Sequence, residues 1–399
     1  MTLASNLNVL IPMAGVGKRF QDAGYDNYKP FIEVAGKPMI HHALDPFPED
    51  VDRHIITVRD LLTPENEAYL RDELRCNIVF ITPHSEGPAF TINEAAKHLP
   101  QDVSYFITYC DVSWSWDFKN LRSHLDQYGL VIVHEGFHPQ LIDNNFSAFC
   151  RAEQEHPDRL AEIREKGSFT DRWMEEPVSI GAFYVRNGRQ MFEAIRKTVD
   201  ENDRAAGELY PSLMFNRLLN DGLQIGLYAT DFYIHWGVPE QLEDYNRWAA
   251  IVKWEETNVE HKTDMPQNVM LMAGLGSRME NISQEPKALI PVKEKPLYLH
   301  AADRMPSAKT IKVVSPTIAQ SLREEDLKSL VVLKRQTSSQ LETLTACAEQ
   351  LASMSDFYLS ACDAYGKFDY QGFREHISSA SPDAVIFTFE PSLIQSKRA

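Results

Sequence analysis

Two stretches of this chain read almost alike. NVLIPMAGVGKRF, Asn8 to Phe20, returns with one residue fewer as NVMLMAGLGSRM, Asn268 to Met279. Two further blocks repeat in the same order: KPFIEVAGKPM (Lys29 to Met39) over KALIPVKEKPL (Lys287 to Leu297), and YFITYCDVSWSWDF (Tyr105 to Phe118) over FYLSACDAYGKFDY (Phe357 to Tyr370). Ordered blocks at similar separations argue against chance and point to one structural unit used twice. The second series stops short. AVIFTFEPSLIQSKRA (Ala384 to Ala399) matches the region around LVIVHEGFHPQLIDNNFSAF as a last strand, and nothing corresponds to residues after about 150. At 399 residues the chain also exceeds what one core of ordinary size supports. It therefore parses into a complete unit over 1–254, a polar linker over 255–267 and a partial second unit over 268–399, degenerate or cut short.

Within the first unit, β-type apolar runs (NVLIPMA, RHIITV, NIVFIT, SYFITYC, LVIVHE) alternate with helical stretches (TPENEAYLRDEL, TINEAAKHL). Thr63 and Pro64 stand as N-cap and first-turn residues. The charged run RAEQEHPDRLAEIREKG, residues 151–167, has the spacing of a solvated helix. A strand, VSIGAFYV, helices near 188–200 and 207–220, and a strand, LQIGLYA, follow. Such alternation predicts an α/β fold, an open and mostly parallel sheet sandwiched by helices, present once complete and once in part.

The net charge of −17 argues against a nucleic-acid partner, because phosphate backbones select basic surfaces. No apolar run reaches the length of a membrane span and the first residues lack the zones of a signal peptide, so a cytoplasmic protein is expected. Five widely spaced cysteines with no C-x-x-C pair read as reduced thiols rather than as a disulfide frame or a zinc site.

Gly15 and Gly17 follow a strand, where the backbone can curl and present N–H groups to an anion, and Lys18 and Arg19 add cations. The turn lacks the third glycine of a dinucleotide fingerprint, Phe20 standing there, and lacks the G-K-[ST] ending of a P-loop. Taken alone it is equally a tight strand-to-helix turn with solvated cations. With Lys29, Gly36 and Pro38 the pattern is larger: GVGKRF…YKPFIEVAGKP resembles the G-x-G-x-R…P-K-x-L…G-x-P signature of the sugar-phosphate nucleotidyltransferases (NDP-sugar pyrophosphorylases), particularly the subgroup of capsule and surface-polysaccharide pathways. Tyr28 stands where the family usually has proline.

The resemblance implies a Rossmann-like nucleotidyltransferase fold and a set of site residues. Arg19 and Lys29 would be catalytic, and Ala14, Gly15, Gly17 and Lys18 would bind nucleotide. Gly87, Pro88, Ala89 and Thr91, in TPHSEGPAFTINEA, would let the base lie against backbone, and Asp111, ending YFITYCD, would hold Mg²⁺. EIREKG is similar to the E-K-P segment with Gly167 for proline, so Lys166 would contact the sugar-1-phosphate. IGAFYV is similar to the G-x-Y strand, which puts Gly181 and Tyr184 near the sugar; Asp117 is added as an acceptor contact. In YIHWGVPEQLEDY, His235 occupies the place of a second metal-binding aspartate and Val238 that of a threonine, so a metal role for His235 is weighed against a structural one. Trp114 and Trp116 are either an acceptor wall or packing, and His41 and His42 receive no role.

These parts suffice for transfer of a nucleotidyl group from a nucleoside triphosphate to a sugar-1-phosphate or other phosphate, with release of pyrophosphate. Both reactants are anions, so charge neutralisation dominates the barrier: Arg19 as a planar fork, Lys29 as a point charge, Mg²⁺ on Asp111. The resemblance leans to CTP or UTP. A non-catalytic nucleotide-binding or assembly protein, and a transferase acting on a non-sugar phosphate, stay open. In the second series Gly274, Gly276, Arg278, Lys287 and Asp363 persist, while Ser338, Ser339 and Gln340 replace Glu86, Gly87 and Pro88. That unit is a structural or dimerising domain, a transferase cut short, or a nucleotide sensor. An uncovered edge on its last strand would favour pairing with another chain, a homo-oligomer through this half.

Overall fold

The computed structural model describes residues 6–388 apart from 122–123, 126, 137, 139–146, 256–264, 275, 280–282, 284, 324–326 and 367–368. Most of the expected linker lies outside the described residues. The chain divides into two compact units, the first reaching Arg247 and the second spanning Trp248–Phe389.

Besides the two-residue strands of a small hairpin, Glu33–Val34 and Lys37–Pro38, the first unit has β1 (Leu7–Pro12), β2 (Asp52–Val58), β3 (Cys76–Ile81), β4 (Ser104–Ile107), β5 (Val112–Ser115), β6 (Gly129–His134), β7 (Ala148–Ala152), β8 (Leu160–Glu165), β9 (Val178–Val185), β10 (Ile225–Ala229) and β11 (Phe232–His235). Nine form one sheet in the order β8-β7-β9-β4-β1-β2-β3, with β6 beside β9 and β10 beside β6; β5 and β11 form a separate antiparallel pair. The quartet β3-β2-β1-β4 is parallel. All six residues of β1 are buried, as expected of a strand covered on both faces. Leu10, Ile56 and Ile107 meet residues of the helices Pro88–Ala95, Gly188–Asp200 and Met214–Asn220 on one face. Val9, Ile11, Ile55 and Phe106 meet the helix Met39–Leu44 and an aromatic cluster on the other. That cluster decides the role of two tryptophans: Trp114 and Trp116 pack edge-on against Phe47, and Trp116 Nε1 donates to the Pro46 carbonyl at 2.7 Å. They are core, not an acceptor wall.

Residues 151–167, expected as a helix, instead carry the end of β7 and all of β8, paired antiparallel. A bulge between Leu160 and Glu162 explains the misreading. The extra residue turns the odd spacing of Leu160 and Ile163 into one buried face, which in the sequence imitates helical spacing.

The second unit has β12 (Gln267–Leu271), β13 (Thr310–Val314), β14 (Leu330–Val332) and β15 (Phe357–Ala361), all parallel, in the order β14-β13-β12-β15. This is the strand order of β3-β2-β1-β4. Gln267 lies opposite Phe357 as Asn8 lies opposite Tyr105, so Asn268 takes the place of Val9 and the gap expected inside this strand is absent. A one-residue slip would turn every side chain to the opposite face. Without it, Val269 and Leu271 point to one small core and Met270 to the other. The strand expected from Ala384 does not form over the described residues 384–388, and 389–399 lie outside the description.

Candidate active site

Parallel strands deliver their C-terminal ends to one side of the sheet, where open α/β folds place ligands. From β1 the chain turns through Met13, Ala14 and Gly15 to Gly17 and the short helix Lys18–Asp22. The Met13 amide donates to the Ile56 carbonyl at 2.8 Å, and the Tyr28 hydroxyl donates to the Met13 carbonyl. Tyr28 thus fastens the start of the turn. Gly17 has φ 69°, and a Cβ there would lie 2.8 Å from Lys29 Cβ, so glycine is required. Around a Cβ on Gly15 there is open space to 4 Å. Phe20 is core, packed with Ile32, Met39 and Trp236. Lys18 and Arg19 are exposed, Lys18 pairing loosely with Asp22 at 3.8 Å.

Lys29 opens a single 3₁₀ turn, Lys29–Phe31, and its Nζ reaches Asp111 Oδ2 at 2.5 Å. Asp111 follows β4, and His235 Nε2 lies 3.5 Å from the same carboxylate oxygen. Burial works to raise the Asp111 carboxyl, but the Lys29 ammonium and then the His235 imidazole outweigh it and hold the group well below the usual carboxylate range. A Cβ on Gly237 would overlap the His235 ring, so Gly237 makes the room in which the imidazole faces Asp111. Among the described residues no group of three or more His, Cys, Asp or Glu converges. The Asp111 carboxylate is the oxygen donor here that would suit a magnesium ion, which is bound through one or two carboxylates together with substrate phosphates.

Lys166 leaves β8 in a left-handed conformation, φ 58°, with Nζ 5.2 Å from the Tyr210 ring centroid. Burial lowers its pKa, Glu165 opposes that, and the charge of Arg19 lowers it further. Glu165 itself is pushed up by burial and accepts from Ser212 Oγ at 2.5 Å. A Cβ on Gly181, φ 85°, would lie 2.8 Å from the Tyr109 ring. Tyr109 therefore stands where Tyr184 was expected. Tyr184 is 1% exposed and donates to the Leu125 carbonyl at 2.9 Å, inside the core. Asp117 is likewise displaced from its expected role: beyond the far end of β5, its Oδ1 accepts from the Asn120 amide at 3.3 Å as the cap of the helix Phe118–Leu121.

Gly87, φ 112°, precedes the helix Pro88–Ala95. A Cβ there would lie 2.6 Å from Leu209 N and 2.7 Å from Leu209 O. The close backbone approach at Gly87 is thus made by the chain's own Leu209. Leu209 N donates to the Glu86 carbonyl at 2.8 Å and Ala89 N to the Leu209 carbonyl at 2.9 Å. Thr91 is buried, its Oγ1 3.1 Å from His84 Nε2 and 3.3 Å from the Gly87 carbonyl. Tyr210 and Glu208 near Lys166, Ser212 on Glu165 and Tyr109 against Gly181 carried no local sequence signal.

In the second unit Gly276 has φ 76°, a Cβ on it would overlap Lys287 Cβ, and Lys287 pairs with Asp363. That pair is more open, with side chains 34% and 31% exposed against 17% and 13% for Lys29 and Asp111. A Cβ on Gly274 would meet open space. The side chain of Arg278 lies outside the description. Ser339 accepts from the Glu342 amide at 3.2 Å and caps the helix Gln340–Ala346.

A family model described as the MobA-like NTP transferase domain matches residues 9–202 and 268–395. The chain belongs to this family. Among curated proteins it is similar to the bifunctional protein GlmU of Staphylococcus epidermidis, 26% identical over 227 residues, 56% of this chain and 48% of that protein. The chain thus spans about half the length of the curated relatives it matches. Among solved structures, the nucleoside-diphosphate-sugar pyrophosphorylase from Vibrio cholerae RC9 shares the fold, with a TM-score of 0.51 and 22% identity over 60% of this chain and 99% of that one. No helix among the described residues of this NTP transferase family member is long and apolar enough to cross a membrane.

Proposed function

We propose that the first unit transfers a nucleotidyl group from a nucleoside triphosphate, CTP or UTP, to a sugar-1-phosphate, releasing pyrophosphate and making an activated sugar for polysaccharide or capsule synthesis. The observation that carries this reading is the charged pair at the strand ends, Lys29 on Asp111 with His235 beside it, with Arg19 near enough to Lys166 for its charge to act there. In this reading Arg19 holds the leaving phosphates through its planar fork. Lys29 turns from Asp111 onto the reacting phosphates. Lys166, its ammonium over the Tyr210 ring, orients the acceptor phosphate for in-line attack. Asp111, with His235 beside it, would hold magnesium, which supplies positive charge to phosphate oxygens when bound.

The second unit is read as a partial copy of the first, beginning at 268 after a linker over 255–267 and working as a structural or pairing domain. The shared strand order and the recurring lysine–aspartate pair support this. Within the described residues the outer edge of β15 has no neighbouring strand, which favours a homo-oligomer through this half. A magnesium-dependent pyrophosphate-release screen of four nucleoside triphosphates against several sugar phosphates and one amino-alcohol phosphate tests the reading. Turnover with a sugar phosphate is expected. Turnover with the amino-alcohol phosphate alone would reassign the acceptor, and nucleotide binding without turnover would end the enzymatic reading.

A further inference from the structure

Between the helices Gly188–Asp200 and Met214–Asn220 runs a short segment that touches both halves of the candidate site. It begins with a tight turn. Ala205 and Glu208 exchange backbone hydrogen bonds, each 3.0 Å, around Ala206 and Gly207, both with positive φ (48° and 86°). Two left-handed central residues make a stiff type I′ turn, and holding a non-glycine residue there costs energy that the surroundings must offset. Arg204 is what fastens it. Its guanidinium donates to Asn202 Oδ1 at 2.6 Å and to the Gly207 carbonyl at 2.8 Å, and pairs with the Glu86 carboxylate. One side chain therefore grips the turn and, across 118 positions of sequence, the loop that opens the helix Pro88–Ala95.

Immediately after the turn the backbone of Leu209 is bonded to Glu86 and Ala89, and lies so close to Gly87 that no side chain fits between. One residue further, Tyr210 carries the ring over which the Lys166 ammonium sits, and its hydroxyl donates to Glu208 Oε2 at 2.8 Å. The path from the Glu86–Ala89 loop to Lys166 thus consists of adjoining hydrogen bonds, one ion pair and one ring contact. A shift of the loop on nucleotide binding has to be passed to Tyr210 and Lys166 or break one of these bonds.

We infer that the segment Arg204–Tyr210 couples the nucleotide-base loop to the acceptor lysine, with Arg204 as its positioning residue. This rests on the transferase reading for the identity of the two sites. The Arg204–Glu86 pair is about one-third exposed on each side, a setting in which an ion pair adds little to stability. Its removal should therefore alter communication more than folding.

The test follows the reactivity of Lys166 in the full chain by competitive amine labelling and mass spectrometry, with and without saturating CTP, UTP, ATP or GTP and magnesium. In the wild-type protein the nucleotide that binds should change the Lys166 labelling rate about fivefold, the scale of ordinary coupling between sites. In Arg204→Ala at saturating nucleotide the rate should stay near its nucleotide-free value, and Arg204→Lys, which keeps the charge, should restore part of the response. The exchange of charges in Arg204→Glu with Glu86→Arg should restore it as well and serves if Arg204→Ala does not fold. An unchanged response in Arg204→Ala would mean that nucleotide acts on Lys166 directly and would overturn the coupling. So would a wild-type protein that binds nucleotide with no change at Lys166, although the transferase reading would stand. Failure of all four nucleotides to bind would overturn both.

Discussion

Gly87 and Ser339 precede corresponding helices in the two units, and they differ because of what lies beside them. Against Gly87 runs the backbone of Leu209, leaving no space for a side chain, and the helix behind it starts without a side-chain cap. The second unit has no segment like 204–210 among its described residues. Freed from that neighbour, its position takes the residue a helix start prefers, a serine whose hydroxyl satisfies an amide of the first turn. Glycine is thus demanded where a packing partner lies against the backbone, as at Gly87. By contrast the lysine–aspartate pair and the left-handed glycine recur in both units, because their surroundings, β1 with β4 and β12 with β15, recur too.

The sharpest way to break this comparison is to remove one lysine at a time. Lys29→Ala should cost about 3 kcal/mol of transition-state stabilisation, roughly a hundredfold in pyrophosphate release, while Lys287→Ala should leave release unchanged. Arg19→Ala and Arg278→Ala should divide in the same way. Equal losses from both lysines would make the second unit a working site.

Next come the helix starts. Gly87→Ala meets both a strained φ and the Leu209 backbone and should destabilise the first unit by about 2–3 kcal/mol. Ser339→Ala loses only a cap, about 1 kcal/mol. Chemical denaturation followed by a probe in each unit separates the two, and a mild Gly87→Ala would refute the packing account.

Within the first turn, Gly17→Ala should cost about 1–2 kcal/mol of stability because it must hold a left-handed backbone against Lys29. Gly15→Ala, with open space around it, should leave the unfolding midpoint nearly unchanged and raise the KM for nucleotide. A KM that did not move would remove Gly15 from the binding surface.

The smallest effect concerns acidity. Burial raises the Glu165 carboxyl above its ordinary value, so the folded chain holds that proton more tightly than the unfolded one. Its contribution to stability is complete below the unfolded-state value and is lost as pH rises through the raised one. Glu165→Gln should flatten that part of the stability–pH curve, and no group in the second unit should answer to it.

Strand positions in the parallel quartet were legible because a strand buried on both faces is written as an unbroken apolar run; β9 and the helix Gly188–Asp200 were equally plain. β8 was not, since one bulge shifts its phase. The residues proposed to face phosphate belong to a spread motif, Gly15 to Lys29 to Asp111, and the structure pairs its last two members. The side proposed for the acceptor was less legible: the residue opposite Gly181 is Tyr109, from another strand connection, and Tyr184 points into the core. Nor does any local pattern announce that Leu209 lies on Gly87, for that contact joins positions far apart in the chain.

The contact between Gly17 and Lys29 has an evolutionary consequence. What touches the missing side chain is the Cβ of residue 29, an atom that every residue except glycine carries, so backbone geometry demands the glycine whether or not a ligand binds. The same holds for Gly276 against Lys287. A descendant of this unit that had stopped binding phosphate would still keep Gly276, as a fossil of shape. Gly274, under no such steric rule, would be among the first letters to drift.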